Sequence, residues 1–293
     1  YVTPPRTCNN PDIVILGGGA VVSPFYLNTL PDCPRYALGV DLAYESEADL
    51  MAKYNLKEVY VRTQSDCETL KKKLNCPVHA IPDLAFYLEP NHSILVNYLE
   101  PTKKTLGVLV TDYVNPAIDR SYEKFGGRAH NFVSGLAKEL DILSEHYEIV
   151  LIPCSTGGYG NDNRVNLDLA AFMKHPPLII SYTINPRNMI GLIKDLDVTV
   201  CKRFHAHIFS IIANTPFVSI EFTRKVKLLL KENELEELNA VKMSDQKFDF
   251  SQLKDKIEMA QSVDYWAILN NMSERYRNQL IEVKKKVLQD WIV

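Results

Sequence analysis

The sequence predicts an α/β protein of two doubly wound domains facing each other across a cleft, and three observations predict it. Short apolar runs alternate with amphipathic helical stretches between about residues 12 and 220, the way successive βαβ units of a parallel sheet read. A polar stretch, Glu100, Pro101, Thr102, Lys103 and Lys104, interrupts the alternation once, and a strand restarts it afterwards. At 293 residues the chain is also long for a single core.

In the amino-terminal domain, residues 1–100, the expected strands are 12–16, 36–40, 58–62 and 78–81, with helices at 47–54 and 65–74. Ser65 is placed to cap the second helix, with Glu68 three positions on completing a capping box. The carboxyl-terminal domain, residues 105–261, opens with a strand at 106–110. A helix at 131–145 carries Phe132, Leu136, Leu140 and Leu143 on one face. The strand 148–152 and a loop rich in Gly and Asn come next. Helices at 165–173, 187–194 and 205–213 then alternate with strands at 178–181, 197–201 and 217–220. Residues 262–293 form one or two carboxyl-terminal helices, free to cross back onto the first domain. Two such domains bind ligands at the carboxyl ends of their strands.

Composition excludes several classes. With 46% apolar and 24% charged residues the chain is ordinary globular protein, neither disordered nor fibrous. A net charge of -3 leaves no basic footprint for nucleic acid. The longest apolar runs, such as 208–213, fall far short of the ~20 residues of a membrane span. Six cysteines (Cys8, Cys33, Cys67, Cys76, Cys154, Cys201) contain no CxxC pair, and no His/Cys set has zinc spacing, so free thiols, a cytoplasmic location and no metal site are expected. No charged-then-apolar leader follows Tyr1, and the chain reads as a fragment rather than a secreted precursor.

The segment Asp197-Val-Thr-Val-Cys-Lys-Arg-Phe-His-Ala-His carries the most chemistry. It is a strand running into a helix, with Lys202, Arg203 and His205 at the strand's carboxyl end. Unpaired backbone N–H groups and the dipole of a helix start favour an anion, so these side chains suit a carboxylate or a phosphate. Asn214 fits the left-handed position after the helix, and Pro216 opens the next strand. Phe222-Thr-Arg-Lys then returns Arg224 and Lys225 to the same sheet edge. An isolated His205 would read as a helix-start residue; in this cluster it reads as an acid or base. His207, two positions on, points to another face and is expected to be packed or solvated.

Gly17, Gly18 and Gly19 end the first strand, but Val22 stands where a dinucleotide fingerprint needs its third glycine. A tight turn admitting a ligand or the facing domain explains the trio as well as phosphate binding does. Arg62 and Asp83 are cleft candidates, with an interdomain ion pair or a capped turn as the alternative. In the loop 155–164, Asp162 and Asn163 are candidate acceptor contacts, or parts of an ordinary connection.

The residues Asp197, Arg203, Phe204, His205, Ala206, Pro216, Phe222 and Lys225, with His205 and Lys225 20 positions apart, resemble the carboxyl-terminal signature of the polysaccharide pyruvyl transferase family. Asp12-Ile-Val-Ile-Leu-Gly-Gly-Gly resembles that family's glycine-rich strand end. Val59-Tyr-Val-Arg-Thr-Gln-Ser and Asp83-Leu-Ala-Phe resemble two further segments. The resemblance runs from about Asp12 to Lys225.

What it implies is a GT-B-like pair of Rossmann-like domains that moves the pyruvyl unit of phosphoenolpyruvate onto two hydroxyls of a saccharide as a ketal. Arg203 and Lys225, with Lys202 and Arg224 beside them, would hold the donor's anions, and His205 would be the acid or base. The acceptor, a hexose or N-acetylhexosamine with free 4- and 6-hydroxyls, would enter from the amino-terminal domain, and no cofactor is implied. The sequence departs from the family at Thr111 and Asp112, where a donor arginine is usual, leaving Arg120, Arg128 or Lys202 as substitutes. Asn214-Thr-Pro replaces Gly-x-Pro, which the left-handed tolerance of Asn allows. The family's opening strand and its loop are absent, so the chain is truncated or divergent. Two rivals stand: a nucleotide-sugar glycosyltransferase of GT-B type, and a saccharide-binding module that kept the fold without the chemistry.

Overall fold

The computed structural model describes residues 11–19, 21–28, 30–93, 95–100, 102–111, 122–156, 161–220, 223–240, 242–244 and 247–291. The chain divides into two compact units, Tyr1–Tyr87 with Glu274–Val293, and Leu88–Ser273.

The first unit holds a four-stranded parallel sheet of β1 (Val14–Gly19), β2 (Arg35–Val40), β3 (Leu56–Val61) and β4 (Val78–Ala80), in that order. Three helices follow successive strands: α1 (Pro24–Leu27), α2 (Ser46–Met51) and α3 (Gln64–Lys71). Because strand order equals chain order, right-handed crossovers place them on one face. Strand alternation assigns the two faces. Val59 and Val61 join the buried cluster of Ala37, Leu42, Met51 and Leu70. Glu58 and Tyr60, one register step away, meet Lys286 of the carboxyl-terminal helix α10 (Val263–Trp291) instead. Tyr87 Oη also reaches the Leu280 carbonyl, and Phe86 packs edge-on against Tyr276.

The second unit holds a five-stranded parallel sheet, order β7-β6-β5-β8-β9, of β5 (Lys104–Leu109), β6 (Tyr147–Leu151), β7 (Leu178–Ile179), β8 (Val198–Cys201) and β9 (Phe217–Ser219). Its winding reverses at β5, so the topological switch point lies between β5 and β8. Asp197 staples the amino ends of these two strands. Its carboxylate accepts from Thr105 N at 2.7 Å and Oγ1 at 2.8 Å, and its own N–H donates to Thr105 Oγ1 at 2.9 Å. The helices are α4 (Tyr122–Leu143), α5 (Asp162–Phe172), α6 (Pro186–Lys194), α7 (Phe204–Ala213), α8 (Arg224–Glu232) and α9 (Leu253–Ala260). A hairpin, β10 (Lys242–Ser244) with β11 (Lys247–Asp249), precedes α9.

The sequence reading needs correction in three places. The break between units falls after Tyr87, not at 100–105, because Glu89 and Asn91 dock on α6. Asn91 N donates to the Arg187 carbonyl and Arg187 Nε to the Glu89 carbonyl, both at 2.9 Å. Gly191 permits this approach, since a Cβ there would stand 2.3 Å from the Asn91 carbonyl oxygen. Within the expectation of one or two carboxyl-terminal helices, the segment is one helix from Val263, and its residues from Glu274 on group with the first unit. The cap of α3 is Thr63, whose hydroxyl accepts from Asp66 N at 3.0 Å; Ser65 lies inside the helix. Arg224 and Lys225 sit in the first turn of α8, a helix the sequence reading did not place.

Candidate functional site

The carboxyl end of β8 builds the centre of the site. After Cys201 the chain stays extended through Arg203 (φ -74, ψ 138), then enters α7, which Asn214 ends in the left-handed conformation (φ 55, ψ 33). This places Lys202 and Arg203 at the switch point, beside Thr111 from the end of β5. Lys202 is buried; its ammonium donates to the Thr111 carbonyl and lies 4.0 Å from the centroid of the Phe132 ring. A cation over an aromatic face regains part of the hydration it loses.

Arg203 is bound to two strand ends besides its own. Its Nη2 donates to Thr111 Oγ1 at 3.1 Å and to Asp162 Oδ1 at 2.6 Å, and its Nε reaches Asp162 Oδ2 at 3.1 Å. Asp162 opens α5, with Asn161 as the cap. Its Oδ2 also accepts from Cys154 N and Ser155 N, each at 3.0 Å, at the end of β6. The carboxylate is 0% exposed and the guanidinium 23%.

His205, one residue into α7, is exposed, with Phe204 and Phe209 rings 5.5 and 5.8 Å away. His207 is packed. Its Nδ1 lies 2.8 Å from the Arg203 carbonyl and its Nε2 2.9 Å from Ser219 Oγ. Burial pushes its imidazole from 6.5 down to about 4, against the opposing effect of the Arg203 and Phe204 backbone. It is therefore neutral, with Nδ1–H donating to the carbonyl and Nε2 accepting from Ser219. Burial holds the Cys154 thiol far above its ordinary range and pushes Cys201 up to about 11, so neither is a nucleophile.

One strand further along the same edge, Thr223 caps α8 by accepting from Val226 N at 3.4 Å, and Arg224 and Lys225 follow, both half-buried. The structure thus joins Lys202, Arg203, Thr111 and Asp162 by direct bonds, puts His205 in the adjoining helical turn, and brings Arg224 and Lys225 to the end of the neighbouring strand. Phe222, Asp112, Arg120 and the side chain of Arg128 lie outside the described residues. Asp162 is corrected from acceptor contact to buried partner of Arg203. Asn163 is half-buried, its N–H donating to the Asn161 side chain at 3.1 Å.

In the first unit, Gly18 (φ 71) and Gly19 (φ 104) require glycine for their backbone, and a Cβ on either would meet nothing within 4 Å. Gly17 has ordinary φ and the Leu38 carbonyl 3.7 Å from its would-be Cβ. Arg62 and Asp83 are not open cleft groups: both are buried, with Nη1 2.5 Å from Asp83 Oδ2 and Nη2 on Asp41, all within that unit. Asp41 was missed in the sequence, where nothing distinguishes it from any polar residue after a strand. Among the described residues no three His, Cys, Asp or Glu side chains gather so as to hold a metal ion, and no helix is long and apolar enough to cross a membrane.

The family model for polysaccharide pyruvyl transferases matches residues 3–222. The chain belongs to this family. No curated protein sequence matches this pyruvyl transferase family member. Solved structures share its fold. They include an apo structure of OtsA (TM-score 0.58, 9% identity, covering 97% of this chain and 74% of that one). Another is MnaA of S. aureus with UDP (0.55, 12%, 92% and 72%). A third is a glycosylation-associated protein complex, Gap123, of Streptococcus agalactiae (0.51, 11%, 92% and 53%). The chain spans about half the length of the streptococcal chain. At these identities the likeness shows the fold alone: α/β with parallel sheets, of GT-B type.

Proposed function

We propose that this protein transfers the pyruvyl unit of phosphoenolpyruvate to a saccharide as a ketal, with the donor bound at the β5–β8–β9 edge of the second unit. The observation that carries the reading is the convergence of Lys202, Arg203 and the amino terminus of α7 at the switch point. Phosphoenolpyruvate carries a carboxylate and a phosphate on one small frame. Directed N–H donors of Arg203, the ammonium groups of Lys202 and Lys225, and the first-turn N–H groups of α7 and α8 suit those two anions. Lys202, whose ammonium rests on the Thr111 carbonyl, is the group that supplies positive charge where the donor arginine of the family is replaced by Thr111.

Ketal formation needs a proton on the methylene carbon. That leaves the adjacent carbon electron-poor, one sugar hydroxyl adds to it, phosphate departs, and the second hydroxyl closes the ring, each hydroxyl giving up its proton. His205 is exposed at the start of α7 and is the side chain at this edge suited to move those protons near neutral pH. Gly17, Gly18, Gly19 and Asn163 stay candidate acceptor contacts. The protein groups account for each step without a cofactor. A cytoplasmic site of action agrees with the phosphoenolpyruvate donor.

The GT-B fold shared with a UDP-bound neighbour favours one second reading, a nucleotide-sugar glycosyltransferase using the same edge for a diphosphate. Calorimetry with each donor separates the two. Heat on adding phosphoenolpyruvate supports the pyruvyl reading. Heat with UDP-sugars and none with phosphoenolpyruvate transfers the assignment, and silence with both favours a saccharide-binding module.

A further inference from the structure

Asp162 stands out because it is fully buried, charged and bound by donors from two separate strand ends. Its carboxylate takes the Nε and Nη2 edge of Arg203, from the end of β8, and the N–H groups of Cys154 and Ser155, from the end of β6. The same Nη2 donates to Thr111 at the end of β5. One carboxylate therefore pins the guanidinium across the gap between β5 and β8, where the switch point lies.

We propose that Asp162 is a positioning residue for the donor: it fixes Arg203 in one orientation and cancels its charge. The proposal rests on the donor site described above. A planar guanidinium held bidentately loses its rotamer freedom before any ligand arrives, so no ordering is left to be done at binding. The Arg203–Asp162 pair has no net charge, so its pull on a distant dianion is that of a dipole, while an uncancelled Arg203 would add a full positive charge. Arg203 thus supplies direction rather than long-range attraction.

The test uses the full chain labelled with 15N-arginine, as the parent, Asp162→Asn and Asp162→Glu, titrated with phosphoenolpyruvate at low and moderate salt. In the parent, Arg203 is expected to show a sharp, slowly exchanging Nε–H resonance, assigned by its loss in Arg203→Lys. In Asp162→Asn that resonance collapses into the averaged arginine signals. Its phosphoenolpyruvate binding steepens in salt dependence by about one charge, while its affinity at low salt gains less than that charge alone would give, because Arg203 must again be ordered at binding. Asp162→Glu, which keeps the charge, retains the parental salt dependence. An Asp162→Asn protein with a sharp Arg203 resonance and unchanged salt dependence overturns the proposal, as does equal loss of donor binding in the Asn and Glu variants. If Asp162→Asn fails to fold, Asp162→Glu carries the test: parental affinity with a sharp resonance supports the role, and loss of both refutes it. No heat from the parent refutes the donor reading instead, and the resonance comparison still decides whether Asp162 holds Arg203.

Discussion

His207 is expected to make the second unit acid-sensitive. Its folded value of about 4 lies below the ordinary 6.5 because burial disfavours the imidazolium. Between those values the unfolded chain binds a proton that the folded one does not, so stability is complete above about 6.5 and falls as pH drops toward 4. At 1.36 kcal/mol per unit, lowering the pH from 6.5 to 5 costs about 2 kcal/mol from this group. Neutral His207 bridges the Arg203 carbonyl and Ser219, and an imidazolium could not accept from that hydroxyl. The measurement is urea unfolding of parent and His207→Gln at pH 7, 6 and 5, read as the difference between the two. Glutamine does not titrate, so other acid-labile groups cancel. The variant should be less stable at pH 7 by about 1–3 kcal/mol for the disturbed hydrogen bonds, and the gap should close by about 2 kcal/mol at pH 5. A gap that stays constant from pH 7 to 5 would refute the reasoning.

Gly191→Ala should displace the backbone at Asn91 from α6 at a cost of about 1–3 kcal/mol, with new proteolytic cleavage near Asn91 as the readout; an uncleaved parent-like protein would count against the close approach. Arg62→Ala should lower the unfolding free energy by about 3–5 kcal/mol, because it strands the buried carboxylates of Asp41 and Asp83, and a loss under 1 kcal/mol would mean that the network is hydrated. His205→Ala should abolish phosphate release from phosphoenolpyruvate in the presence of acceptor while leaving donor affinity within about tenfold, roughly 1.4 kcal/mol, whereas Lys225→Ala should weaken donor binding by more than that. Parental turnover by His205→Ala returns that residue to a helix-start role.

Strands were the most legible part of the fold, since β8 and β9 are buried along their whole length and β2, β3 and β6 end in apolar runs, as parallel strands require. The cluster at 202–205 was legible for a local reason: three nitrogenous side chains follow a strand within four residues. Asp162 was not, because its partner lies 41 positions away and no periodicity reports a distant ion pair. The unit boundary was misplaced because contacts of Glu89 and Asn91 with Arg187 tie the chain after Tyr87 to the second unit, and such contacts leave no trace in side-chain pattern. Thr63 and Ser65 are both competent caps, and only the extended backbone of Thr63 (φ -131, ψ 149) decides between them. Helix α8 was hidden by its first turn, where Arg224 and Lys225 oppose the dipole. That placement suits a ligand's negative charge better than an isolated helix.

Among the described residues β1 pairs on one side, with β2. Its outer row of backbone donors and acceptors is a template that any extended segment, from this chain or another, could complete. The row is uneven. Gly18 and Gly19 carry positive φ, though the pairing with β2 runs on to Gly19 opposite Val40. A charge introduced at the half-exposed Ile15 tests whether this row takes part in self-association at high concentration.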